Sequence, residues 1–174
     1  LFFRNTAVFT QDSFGSPTTN PFGLSGVGGG RSAPAFVDID GDGDLDAFIG
    51  EYLGQTFFLR NTGSATAPAF AAPSYTPFGL SFVGLDSTPT FVDIDGDGDF
   101  DAFIGVGEFS ADDGSTVFFR NTGSALAPAF AAPSTNPFGL SDVGINSHPT
   151  FADIDGDGDL DAFIGELNGN TNFF

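Results

Sequence analysis

Along the chain, short apolar runs alternate with dense clusters of glycine, proline, aspartate and small polar residues. Ala35-Phe36-Val37 leads into an acidic stretch, and Leu45-Asp46-Ala47-Phe48-Ile49-Gly50 leaves it. Gln55-Thr56-Phe57-Phe58-Leu59 follows, aromatic and rich in β-favouring residues, and Asn61-Thr62-Gly63 ends it. A weaker fourth run lies between Ala69 and Val83, where Pro73 and Pro77 suit an edge strand. Glycine and proline recur too often for any helical period to persist. The pattern predicts an all-β protein with about four short antiparallel strands per unit.

The units repeat. Asp-Ile-Asp-Gly-Asp-Gly-Asp begins at Asp38, Asp93 and Asp153, Pro-Phe-Gly-Leu-Ser at Pro21, Pro77 and Pro137, and Arg-Asn-Thr at Arg4, Arg60 and Arg120. Cut at one phase, the repeats are residues 1–59, 60–119 and 120–174, with acidic loops at 38–46, 93–101 and 153–161. The middle copy carries an insertion in 105–114, which reads as a surface loop. Leu1-Phe2-Phe3-Arg4 starts at the phase where Asn172-Phe173-Phe174 stops, and residue 1 is not methionine. The expectation is a mature product or a window cut from a longer array, or subunits that join end to end.

Composition narrows the chemistry. Forty per cent of the 174 residues are hydrophobic, enough for a core rather than a disordered acidic tail. A net charge of −19 repels polyanions and excludes nucleic-acid binding through phosphate contacts. The absence of cysteine removes disulfides, thiolate metal sites and thiol catalysis. No apolar run is long enough to span a membrane as a helix.

The charge is concentrated where it must be neutralised. Asp38, Asp40, Asp42, Asp44 and Asp46 put five carboxylates within nine residues, and the pattern recurs at Asp93, Asp95, Asp97, Asp99 and Asp101 and at Asp153, Asp155, Asp157, Asp159 and Asp161. Two unit charges ~4 Å apart repel by about 1 kcal/mol even in bulk water. A hard cation converts that repulsion into attraction. Side chains at alternate positions of a tight loop converge on one point, and the intervening glycines permit the turn. In the first loop this gives Asp38, Asp40, Asp42 and Asp46 as side-chain ligands and Asp44 through its carbonyl. Oxygen-only ligation of this kind favours calcium over magnesium. Ile49 stands where an EF-hand would place its bidentate glutamate, and the flanks read as strands, not helices.

The pattern Asp-x-Asp-x-Asp-Gly-x-x-Asp between strands, with Phe-Val-Asp-Ile-Asp-Gly-Asp-Gly-Asp-Leu-Asp-Ala-Phe-Ile-Gly and the Arg-Asn-Thr-Gly strand end, resembles the FG-GAP and VCBS repeats. These form the blades of integrin-α-like β-propellers. The resemblance implies three tandem four-stranded blades, about three calcium ions per chain, and the same ligand roles in each loop. Three repeats fall short of the four to eight blades that close a propeller. That implies part of a larger ring, or an open or head-to-tail assembly.

Other residues carry less. His148, beside Pro149, reads as a loop residue rather than a base or ligand. Arg4, Arg60 and Arg120 share one phase, which suits a salt bridge to a neighbouring loop aspartate better than a ligand contact. Phe pairs such as Phe57-Phe58 read as core between sheets, and Glu51, Glu108 and Glu166 follow the second strand without an assigned role. No nucleophile–base pair is present, so an enzyme is not expected. The expected function is an extracellular or cell-surface structural or adhesive protein, calcium-stabilised, self-associating through Leu1-Phe2-Phe3 at an open strand edge. The alternative is a calcium-dependent module that binds a glycan or protein ligand. No Asn-x-Ser/Thr sequon occurs.

Overall fold

The computed structural model describes residues 16–107 and 113–174. Arg4, Glu108, Leu1-Phe2-Phe3 and most of the inserted loop lie outside the described residues. The first sheet is built in chain order from β1 (Ala33–Val37), β2 (Asp46–Gly50), β3 (Thr56–Leu59) and β4 (Ser74–Tyr75), all neighbours antiparallel. The second repeats it with β5 (Thr88–Val92), β6 (Asp101–Gly105), β7 (Thr116–Phe119) and β8 (Ser134–Thr135). The third has β9 (His148–Ala152), β10 (Asp161–Gly165) and β11 (Thr171–Phe173). Among the described residues the third sheet therefore has three strands where the repeat pattern predicts four. His148 opens β9 opposite Gly165 and is exposed, so it belongs to a strand and not to a loop.

Period-two alternation decides which way each strand faces. On β2, Phe48 points to one side with Phe58 of β3, while Ala47 and Ile49 point to the other with Phe57 and Leu59. Both sides are covered, and every residue of β2 and β6 is buried, as expected of central strands between layers. The Phe48–Phe58 pair (centroids 5.0 Å apart) stacks on Phe91 of the second sheet at 4.3 Å. The Phe103–Phe118 pair (4.7 Å) stacks in the same way on Phe151 of the third at 4.4 Å. Each joint uses the aromatic face of one sheet against the Ala-and-Ile face of the next, Ala102 and Ile104 in one case, Ala162 and Ile164 in the other.

Polar bonds fix the stacking. The Thr88 and Thr90 hydroxyls donate to the carbonyls of Ser147 and Pro149 (2.7 and 2.8 Å), tying β5 to β9. Gly50 and Gly105 set the closest approach. A Cβ at Gly50 would lie 2.1 Å from the Ser87 carbonyl oxygen, and one at Gly105 2.0 Å from that of Ser147. The Ala-Phe-Ile-Gly strand must therefore end in glycine for the next sheet to sit down. Among the described residues no strand pairing joins the third sheet back to the first.

Candidate metal centres

Each acidic stretch connects the first two strands of its sheet, so the pairing of β1 with β2 closes the loop and brings its aspartates together. The turn is made by glycines in the left-handed region, Gly41 (φ 69°) and Gly43 (φ 92°) in the first loop, with equivalents in the others. The first aspartate organises the backbone. Asp93 accepts from the amides of Gly96, Asp97 and Gly98 (2.8, 3.1 and 3.0 Å), Asp153 from Gly156 and Gly158, and Asp38 from Gly43.

Carboxylate oxygens of Asp38, Asp40 and Asp42 lie within 4.8 Å of one another, as do those of Asp93, Asp95 and Asp97 and those of Asp153, Asp155 and Asp161. The third group takes the aspartate at the start of β10 in place of Asp157. Asp46 and Asp101 begin the second strand of their sheets, nearly inaccessible, and each gives one oxygen to a backbone amide, Asn61 at 2.7 Å and Asn121 at 2.6 Å. The second oxygen of Asp46 is buried and accepts nothing, and that of Asp101 is buried with only a weak approach from the Ile94 amide. Single oxygens of Asp38, Asp40, Asp44 and Asp99 are also buried and accept nothing. In the first loop, four carboxylates thus present a buried acceptor without a donor.

An unpaired buried acceptor is costly, and the same burial disfavours the ionised carboxylate. Burial pushes the carboxyls of Asp46 and Asp101 up to about 6 from 3.8, against the lowering effect of the Asn61 and Asn121 amides, and the neighbouring aspartates add to the rise. Desolvation followed by repulsion from nearby carboxylates also raises Asp44 and Asp99. These are groups that a hard cation would relieve, and an all-carboxylate donor set suits one. The residues therefore fit the ion that the sequence pattern implies.

The arginines belong to the loops. Arg60 pairs with Asp40 and lies 3.8 Å from Asp42, and Arg120 pairs with Asp95. The phase shared by these residues thus serves ion pairing, as the sequence suggests. The neighbouring asparagine, unassigned from sequence, is the stronger structural element. The Asn121 side-chain oxygen accepts from the amides of Gly123 (3.0 Å) and Ala129 (2.9 Å), and its own amide holds Asp101. Asn61 repeats all three bonds. Its signal in the sequence was its recurrence between Arg and Thr. Replacing Asn121 with Ala strands two amides and is expected to cost about 1–2 kcal/mol in urea unfolding. A loss indistinguishable from zero would show that water replaces the side chain.

Glu51 and Glu166 have a similar structural task. Glu51 accepts from the amides of Leu53 (2.8 Å) and Gln55 (3.0 Å), and Glu166 from those of Asn168 (2.7 Å) and Asn170 (2.9 Å), clamping the turn after the second strand. Those backbone bonds hold the Glu166 carboxyl below its usual range.

Fold and site together define an all-β repeat protein whose stacked antiparallel sheets each carry an acidic hairpin loop shaped for a hard cation. Residues 38–104, from the first acidic loop through β6, match the sequence family of the FG-GAP-like repeat. The resemblance read from the motifs is borne out over that span. Comparison with curated proteins and with solved structures found no match.

Proposed function

We propose that this chain is a calcium-stabilised repeat module of an extracellular structural or adhesive protein, its sheets arranged as propeller-type blades that continue by head-to-tail joining. The observation that carries the reading is the convergence of three carboxylates in each hairpin, to which the first two loops add buried carboxylate oxygens without a donor. Asp38, Asp40, Asp42 and Asp46 would hold one ion, Asp93, Asp95, Asp97 and Asp101 a second, and Asp153, Asp155, Asp157 and Asp161 a third, with Asp44, Asp99 and Asp159 contributing carbonyls. FG-GAP-like repeats are usually found in extracellular proteins and are typically not enzymes. Free calcium of about millimolar concentration outside cells suits weak sites of this type. No helix among the described residues is long and apolar enough to cross a membrane. In a module without disulfides, bound ions supply the cross-links that rigidify it.

Isothermal titration with calcium tests the core of the reading. About three ions per chain are expected, with affinities in the weak extracellular range, and Asp40→Asn should weaken one of them. A chain that takes up no calcium rejects it.

A further inference from the structure

The two joints inside the chain are copies of one interface, and each half of that interface recurs exposed once more, the aromatic pair on the third sheet and the receiving side on the first. In the joint between the first and second sheets, the Phe48–Phe58 pair meets Phe91 and the Pro77-Phe78-Gly79 turn, with Phe78 at 4.9 Å from Phe58. In the next joint the Phe103–Phe118 pair meets Phe151 and Phe138, the latter 5.0 Å from Phe118. The third sheet carries the same pair, Phe163 and Phe173, with centroids 5.2 Å apart, and Phe173 is 61% exposed.

The receiving half is left over at the first sheet. Phe36, the counterpart of Phe91 and Phe151, is 49% exposed. It lines an apolar cavity of about 620 Å³ with Phe22, Leu24, Leu45 and Phe70. This half is already in its joined conformation. Phe22 has φ 58° and ψ 24°, against φ 55° and ψ 17° for Phe78. The Phe70 amide donates to the Phe22 carbonyl at 2.8 Å, as the Phe130 amide does to that of Phe78 at 2.7 Å. Phe36 lies 6.1 Å from Phe70, as Phe91 lies 6.3 Å from Phe130.

The backbone register agrees. Each complete sheet takes its fourth strand from the residues just before a Pro-Phe-Gly turn. Ser74–Tyr75 precede Pro77 and pair with Phe58 and Phe57, and Ser134–Thr135 precede Pro137 and pair with Phe118 and Val117. Thr18 and Thr19 stand at the same distance before Pro21, exposed and outside any strand. On the third sheet, β11 has β10 on one side and no strand on the other among the described residues.

We propose that a second copy of this chain docks here, the Phe163–Phe173 pair of one copy entering the Phe36 cavity of the next while Thr18–Thr19 of the receiving copy adds as the fourth strand beside β11. The argument is continuity with an interface the chain already makes twice. It rests on the head-to-tail reading above and names its surfaces. Because the faces differ, the contact is heterologous and propagates. Register places Thr19 opposite Asn172 and Thr18 opposite Phe173.

The test uses the full chain in calcium, followed by sedimentation. Wild type should form concentration-dependent chains of copies. Phe36→Asp and Phe173→Asp each remove one half and should each weaken association ~30-fold or more. An equimolar mixture should stop at dimers, since it holds one intact socket and one intact plug. Both substitutions are at exposed positions outside the acidic loops, so calcium uptake should stay as in wild type, which separates this proposal from the calcium reading. In a chain without cysteine, Thr19→Cys with Asn172→Cys should oxidise to a ladder of cross-linked copies. A monomeric wild type, variants that assemble normally, or a cross-link closed within one chain would overturn the proposal. So would assembly that begins only after residues 1–15 are removed, which would place that segment in the cavity.

Discussion

At neutral pH, chelating calcium with EDTA is expected to lower the melting temperature by about 10 °C, and restoring millimolar calcium should reverse it. The size follows from mass action. With Kd of ~0.1 mM, in the extracellular range, and ~1 mM free calcium, each loop gains about 1.4 kcal/mol, and three loops about 4 kcal/mol. A domain of this length shifts by roughly 2–4 °C per kcal/mol. The loss should be largest around the first loop, where Asp38, Asp40, Asp44 and Asp46 each leave a buried oxygen without a donor. Hydrogen exchange in EDTA should therefore speed up most in the β1–β2 hairpin, and magnesium at equal concentration should protect less. A melt identical with and without chelator would mean that the aspartates tolerate one another without an ion.

The strands that flank the acidic loops were legible because each carries its own period-two pattern and its own stop. Phe57 and Phe58 could be assigned to the core from their aromatic, β-favouring run alone. The fourth strand was harder. Ser74–Tyr75 is two exposed residues between prolines, and only pairing with β3 makes it a strand. His148 was misread for a related reason. Pro149 suggests a loop, yet it lies on β9 at the side of the sheet away from β11, as Pro34 and Pro89 do on β1 and β5. Edge positions accept the missing amide.

The ligand-bearing residues were legible as a set, because charge density and glycine spacing are local. Their grouping was not. The three repeats share a motif, but the oxygens that approach one another differ, with Asp161 replacing the Asp157 position in the third loop. Arg60 and Arg120 pull on Asp40 and Asp95 in the first two loops, and no arginine among the described residues does so in the third. Tertiary contacts of that kind leave no trace in the spacing. The same is true of Gly50 and Gly105. A glycine closing a strand reads as a breaker, and its need for contact distance appears only once Ser87 and Ser147 are seen against it.

Without calcium, replacing Asp101 by Asn is expected to stabilise the protein at pH 7, and with calcium the advantage should disappear or reverse. Asp101 is 2% exposed, and burial raises its carboxyl to about 6 from 3.8. The folded state then holds the proton more tightly than the unfolded chain. Between pH ~4 and ~6 the native state binds more protons, so metal-free stability falls as pH rises through that window. By pH 7 the ionised group costs on the order of 2 kcal/mol. Asn keeps an oxygen for the Asn121 amide, which Asp101 now receives at 2.6 Å, and carries no charge. In EDTA the variant should therefore gain on the order of 2 kcal/mol over wild type at pH 7, and the two should converge below pH ~4. In calcium the wild-type carboxylate becomes an ion ligand, and the variant loses much of the increment from that loop. Urea unfolding at both pH values, with and without calcium, measures all four combinations. An Asn variant less stable than wild type in EDTA at pH 7 would show that the Asp101 charge is already compensated by the protein, and that this loop has no electrostatic need of a metal.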